Sequence, residues 1–292
     1  MAINAFLPTI WSARLLNNLT NQLVYAQPAI VNRDYEGEIA QMGDTVRINS
    51  LGPVTIGAYT KNANMAAVQE LTDASQTLSI TQGDYFNFQI DDVDRRQQQP
   101  KVMDQAMRNA ALALGQTADA WLAALMWAGV PAANTQGAVG AGLACGYAGG
   151  ETDPYIALLN AGIDLDENNV PRAGRWAIVP PWFHGYLLMD NRFVGSGADT
   201  ADGRAVNGMV GRAAGFDIYM SNNVPFVAGP AEYKIVLGTN YATSFANQIN
   251  SVEAYRPELR FADAVKGLHL YGARVVYPSA LALIIADIGT AA

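Results

Sequence analysis

KVMDQAMRNAALALGQTADAWLAALMWA, residues 101–128, is the stretch on which the fold turns. Met103, Met107, Ala110, Leu114, Ala118, Trp121 and Leu125 recur at steps of four and three, one unbroken face of an α-helix. Pro100 stands just before the start, and Gly129-Val130-Pro131 ends the pattern. At 1.5 Å per residue the helix runs about 42 Å, longer than a small domain is wide. Such a helix predicts a spine on which other elements hang.

Upstream, the pattern changes to alternation with a period of two. Val46 and Ile48 alternate with Thr45, Arg47 and Asn49, and Gly52-Pro53 turns the chain into Val54-Thr55-Ile56. After a polar stretch from Tyr59 to Ser75, Leu78 and Ile80 alternate with Thr77, Ser79 and Thr81. Phe86, Phe88 and Ile90 then alternate with Tyr85, Asn87 and Gln89. Residues 31–92 thus predict a β arm with one polar face, an arrangement that is marginal alone and needs a surface to lie on. Further upstream, Ile10, Leu15, Leu16, Leu19, Leu23 and Val24 predict an amphipathic helix over 9–26, stopped by Pro28.

Downstream, residues 132–151 are small and Gly-rich, a loop by composition. Asp153-Pro154 is an N-cap followed by Pro at the first helical position, which opens a helix to about Asp166. Trp176 to Val179 predicts a short buried strand, and Pro180-Pro181 opens a helix to about Asp190. Residues 195–215 are again Gly-rich, with Arg204 and Arg212. Strands are predicted at 218–220, 233–237 and 252–259, and the segments 269–276 and 281–285 are expected to pair with each other at the end.

Only 15% of the 292 residues are charged, against roughly 25% in an average soluble protein, while half are hydrophobic. That balance excludes a disordered chain and points to wide burial against other subunits. A net charge of -8, with four lysines and scattered arginines, argues against gripping nucleic acid. The single Cys145 excludes an internal disulfide framework and any multi-cysteine metal site. Met1-Ala2-Ile3-Asn4 lacks a basic run, and Ala280 to Ile288 is far too short to span a membrane, so the expectation is a soluble, intracellular protein.

A search for chemistry returns mostly absences. His184 and His269 are the only histidines, and neither precedes a Glu as a helical zinc site requires. Asp91-Asp92-Val93-Asp94 could hold magnesium but reads more simply as a helix-initiating turn. Gly140-Ala141-Gly142 is the nearest approach to a dinucleotide fingerprint, yet Cys145 stands where its third glycine belongs, and a helix precedes it. No Ser lies in a G-x-S-x-G elbow, and no His lies near Cys145 in sequence. An enzyme is not expected: the sequence offers no catalytic residue, metal ligand or cofactor site.

The order of helix, long β arm, spine helix, compact α/β region and returning strands resembles the tailed-bacteriophage major capsid proteins of the Hong-Kong-97-type fold. Val31-Asn32-Arg33-Asp34-Tyr35-Glu36-Gly37-Glu38-Ile39 with Gly43-Asp44-Thr45-Val46 is similar to the start of the arm in the branch of the Salmonella podophage coat protein. Leu165 to Pro171, Gly174-Arg175-Trp176, Val179-Pro180-Pro181, Gly211 to Asp217, Ser221 to Pro225 and Phe261 to Gly267 are similar to later parts of that branch. The likeness runs from about residue 5 to 286.

The resemblance implies an α+β fold with an N-terminal arm and helix (1–30), an extended β loop (31–92), a peripheral region (93–151 and 251–292, spine 101–128) and an axial region (152–250). It implies a structural protein whose hexamers and pentamers close into an icosahedral shell around double-stranded DNA. A separately encoded scaffolding protein, a portal and a terminase are the expected partners, with a decoration protein outside in some relatives and no membrane. The expected location is the virion, assembled in the host cytoplasm. Arg33, Asp34, Glu36 and Glu38 are expected to pair across subunits, as is Arg95-Arg96, unless that pair is simply solvated. Lys61-Asn62 lies where some relatives form a covalent Lys–Asn crosslink, which is not expected here. The alternatives are an encapsulin-like compartment shell and, from another class, a cytosolic α+β enzyme.

Overall fold

The computed structural model describes residues 23–34, 45–51, 56, 58, 61, 64, 73–91, 102–190, 209–229, 231–258 and 262–289. Its backbone is α1 (Val102–Ala128). The buried face of α1 is Met107, Ala111, Leu114, Ala118 and Leu122, while Ala110, Trp121 and Leu125 of the predicted stripe stand at its margin. Small residues at the centre of the face let the helix approach the sheets closely. Both larger sheets touch it.

One sheet has three antiparallel strands in the order β11 (Thr243–Tyr255), β12 (Ala262–Val275) and β3 (Gln82–Asp91). Val265 on β12, Val252 on β11 and the half-buried Phe86 and Phe88 of β3 pack on Met107 and Ala111 of α1. The opposite face of this sheet carries a hairpin of β1 (Thr45–Leu51) and β2 (Asp73–Ser79), with Thr45 opposite Ser79 and Leu51 opposite Asp73.

The other sheet runs β4 (Thr135–Gln136), β13 (Leu281–Ile288), β10 (Glu232–Thr239), β6 (Arg175–Val179), β8 (Phe216–Met220), β7 (Met209–Ala213). Two short strands, β5 (Leu143–Cys145) on β13 and β9 (Phe226–Val227) on β10, complete it. The two faces of β10 are read from its alternating side chains. Lys234 lies over Trp127 of α1, while Tyr233 meets Trp182 of α3 (Pro181–Met189) on the other side. That second side also carries α2 (Pro154–Glu167), which packs on β13 and on α3. All five residues of β6 are buried, as a strand covered on both faces must be.

The local signals explain these elements. Asp153 Oδ1 accepts the Tyr155 N–H at 2.9 Å, and Pro154 occupies the first turn of α2. After α2, Asn169 adopts φ 58° and Gly174 φ 70°, which turns the chain into β6. Arg175, 5% exposed, fastens that turn: it donates to Asp166 at 2.7 Å, Val170 O at 2.6 Å, Pro171 O at 3.0 Å and Gly162 O at 3.3 Å. Bonds from Arg172, and next from Arg175, hold the Asp166 carboxyl below its ordinary range. The stretch from Asp166 to Arg175 is thus a structural lock.

Several expectations need correction. The segments 269–276 and 281–285 do not pair with each other: β12 joins β11 and β3, whereas β13 joins β10, β4 and β5. The strand expected at 252–259 begins at Thr243 and ends at Tyr255. Of the helix expected over 9–26, residues 9–22 lie outside the described set, and 23–26 form a turn. Asp119, not a helical carbonyl, binds the amides there. Ile56 is in no strand. The Gly-rich stretch 132–151 carries β4 and β5.

Candidate functional site

The place where chemistry or contact concentrates is the root of the β1–β2 hairpin. Asn32 forms a parallel bridge with β11: its N–H donates to Thr243 O at 2.9 Å, and its carbonyl accepts the Phe245 N–H at 2.9 Å. Arg33 Nη2 then reaches Asn247 Oδ1 at 2.9 Å, two residues along the same strand. Asp34 is exposed, and its amide caps onto Asn32 Oδ1. Pro28, Val31 and Asn32 to Asp34 face Asn240 and Tyr241 across an open cleft of about 310 Å³. Arg33 and Asp34 are thus brought together at the root. Glu36, Glu38, Arg95, Arg96 and Asn62 lie outside the described residues.

The hairpin itself behaves as its alternation predicts. Val46, Ile48, Leu78 and Ile80 are buried against Ala246 of β11, Leu270 of β12 and Val276. Thr45, Arg47, Ser75 and Thr77 face outward. Gln76 Nε2 ties the root to Val276 O at 3.2 Å. Beyond the root, each described residue of the tip (Ile56, Ala58, Lys61 and Asn64) is exposed, Ile56 at 93%. Among the described residues nothing covers this isoleucine.

Three buried polar groups in the described residues bear on chemistry. Asp119 of α1, 1% exposed, accepts the Val24 N–H at 2.9 Å and the Tyr25 N–H at 3.1 Å, and so pins the N-terminal turn to the spine. Burial pushes its carboxyl up to about 6, against the pull of those amides. His269 of β12 is fully buried, stacked at 5.1 Å on Tyr271, and neither ring nitrogen finds a hydrogen-bond partner among the described residues. Burial lowers it to about 4, so it is a neutral core histidine at pH 7.

The third group answers the dinucleotide question. Glu232 Oε1 accepts the amides of Gly140 and Gly142 at 2.6 and 3.1 Å, while its Oε2 takes the Lys234 ammonium at 2.8 Å. The loop amides that would cradle a phosphate already hold the protein's own carboxylate. That Lys234 bond, ahead of the amides, keeps Glu232 below the usual carboxylate range. Cys145 is buried, and burial together with Asp287, Asp153 and Glu151 lifts its thiol to about 12, so no thiolate nucleophile forms. Among the described residues, no group of three or more His, Cys, Asp or Glu is placed to hold a metal ion, and no helix is long and apolar enough to cross a membrane.

Sequence reasoning missed Asp119 and the Glu232–Lys234 pair. A signal existed for each: an acid directly beside Ala118 on the apolar face of a helix, and two charges at i and i+2 in an otherwise apolar strand.

A bare hairpin on a chain of α1, two sheets and outer helices describes a structural subunit, and comparison with known proteins gives its class. Residues 75–284 match the model of a family described as phage capsid protein, so the chain belongs to that family. It is a capsid protein, a subunit of a phage shell. Its fold is similar to a structure from Mycobacterium phage Che8, at 26% identity over 97% of this chain and 98% of that one, with a TM-score of 0.65. Similar too are the capsid of the cyanophage P-SCSP1u (16% identity, 86% and 85% covered, TM-score 0.65) and the mature capsid of bacteriophage PhiM1 (15% identity, 87% and 87%, TM-score 0.60). No curated protein sequence matches the chain. The α+β fold expected from the sequence is therefore the Hong-Kong-97-type fold of phage capsids.

Proposed function

We propose that this is the major capsid protein of a tailed phage, of the branch of the Salmonella podophage, forming hexamers and pentamers that close into an icosahedral shell around double-stranded DNA. Its role is structural and not enzymatic. A separately encoded scaffold and a portal take part in assembly in the host cytoplasm, and a decoration protein is compatible with the outer surface. In this reading residues 31–92 form the extended loop, with 93–151 and 251–292 peripheral and 152–250 axial.

The observation that carries the reading is the hairpin, rooted on its own sheet by Val46, Ile48, Leu78 and Ile80 yet bare at every described tip residue. A neighbouring subunit supplies the cover. Arg33, Asp34, Glu36 and Glu38 at the root, Lys61 at the tip, and Arg95-Arg96 make the polar contacts. Each exposed ion pair contributes only about 0–1 kcal/mol, which lets misplaced subunits leave a growing shell. The Lys61-Asn62 pair stays uncrosslinked.

Replacing residues 53–71 by a short Gly-Ser turn spares β1 and β2. The expected product keeps the wild-type melting curve but yields no closed shells by electron microscopy. Normal particles would overturn the role given to the hairpin. Gel filtration of the unaltered protein separates the classes: capsomers or megadalton particles belong to a shell, a stable dimer alone to an enzyme. Particles that enclose a protein cargo instead of DNA would indicate a compartment shell.

A further inference from the structure

His269 is fully buried, yet neither of its ring nitrogens has a hydrogen-bond partner among the described residues. Buried polar groups are almost always paired, so this imidazole calls for a reason. An acceptor stands one strand away. His269 is directly opposite Asp84 in the β12–β3 register, and residues paired in that way share a face of the sheet with Cβ atoms about 5 Å apart. Asp84 is half-buried, and its Oδ2 accepts the Tyr271 hydroxyl at 2.8 Å. The imidazole lies instead on the Tyr271 ring, with centroids 5.1 Å and planes 30° apart. Tyr271 in turn meets Trp121 of α1 edge-on at 5.2 Å. One side chain therefore joins the histidine, the carboxylate and the spine helix.

The other groups on this face have their own engagements. On β11, Ile249 stands opposite His269 and Asn247 opposite Tyr271, and Arg33 donates to Asn247. On α1, Asp119 holds the amides of Val24 and Tyr25, and Arg108 is exposed. Asp84 is thus the charge that acts on His269. Burial lowers the imidazole to about 4, and Asp84 pulls it the other way.

We propose that His269 is a two-position acid switch: neutral, it stacks on Tyr271, and protonated, it turns onto Asp84 and loosens the seat of Trp121. The proton passes from water to a ring nitrogen, and the resulting N–H donates to the Asp84 carboxylate. Asp84 can keep the Tyr271 hydroxyl on Oδ2 and receive the imidazolium on Oδ1. Departure of the imidazole uncovers one side of the ring on which Trp121 packs, so a charge gained inside the sheet is felt at the spine. The device belongs to a single subunit and does not depend on the assembly proposed above.

The test follows the two histidines by NMR in unassembled subunits carrying 13C-labelled imidazole, from neutral pH to about 3.5. The signal lost in His269→Gln is that of His269, and its midpoint is expected near 4. Asp84→Asn leaves Tyr271 an acceptor but removes the charge, and should lower that midpoint by about one pH unit or more. Should Asp84→Asn fold poorly, Tyr271→Phe removes the competing donor and should raise the midpoint. The Trp121 indole signal, assigned with Trp121→Phe, should move with His269 in the wild type and stay still in His269→Gln. A midpoint unchanged in the variant that folds overturns the proposal. So does a Trp121 signal that moves equally without His269, or a subunit that unfolds in one step before His269 titrates.

Discussion

Asp119 does for the N-terminal turn what a phosphate does at a helix N-terminus: it gathers backbone N–H groups, here of Val24 and Tyr25, onto one anion. Because it lies inside the spine helix, its protonation is coupled to the fold. An unfolded carboxyl ionises near 3.8, and this one near 6. The native state therefore holds an extra proton between those values, and the associated stability is present below about pH 4 and lost as pH rises to about 6. We expect wild type to lose about 2 kcal/mol relative to Asp119→Asn between pH 4 and 6, since the linkage develops only partly at each end of that window. Urea denaturation of unassembled subunits measures it, and a pH-independent difference would place the Asp119 carboxyl in water. His269, lowered from 6.5 to about 4, acts in the opposite sense. It is uncharged when native but protonated when unfolded below pH 6.5, so it takes stability away as pH falls.

The hairpin and the sheet beneath it meet at one close approach. At Gly272 of β12 a Cβ would lie 2.5 Å from Ser79 O and 3.0 Å from Ile80 Cα, so backbone rests on backbone. Gly272→Ala should lift the hairpin root and cost about 1–3 kcal/mol, the range for overpacking. Slower amide exchange is expected in wild type than in the variant at Leu78 and Ile80; unchanged exchange there would refute the contact. Elements like this one were legible from sequence as individual pieces. Period two marked β1, β2 and β3, period 3.6 marked α1, and Asp153-Pro154 marked the start of α2. Partnerships were not legible, because alternation states which face of a strand is apolar and is silent on which strand lies beside it. Hence β3 goes to β12 and β13 to β10. Arg33 stood out as a charge at the arm's root, but its partner Asn247 is 214 residues away, beyond any local pattern.

At the scale of the whole molecule, 15% charge and -8 net leave few charged groups to cover the surface, and in the proposed shell neighbouring subunits supply apolar contacts. Assembly driven that way strengthens on warming, because burial of apolar surface is entropic near room temperature. The concentration at which shells form should fall severalfold from about 10 to 30 °C and change less than about threefold from ~0.05 to 0.5 M salt, where exposed ion pairs are screened. Light scattering follows both. Steep loss of shells with salt would mean that charged contacts, and not apolar faces, hold the copies together.

The place of β13 gives the molecule a checkpoint on its own synthesis. It is hydrogen-bonded to β10 on one side and to β4 and β5 on the other, yet it follows all of them along the chain. Until the ribosome has released it, the large sheet has a gap in its interior. A chain that stops before β13 therefore has no finished large sheet, and truncation there is expected to leave it unfolded, which circular dichroism of a 1–277 variant checks.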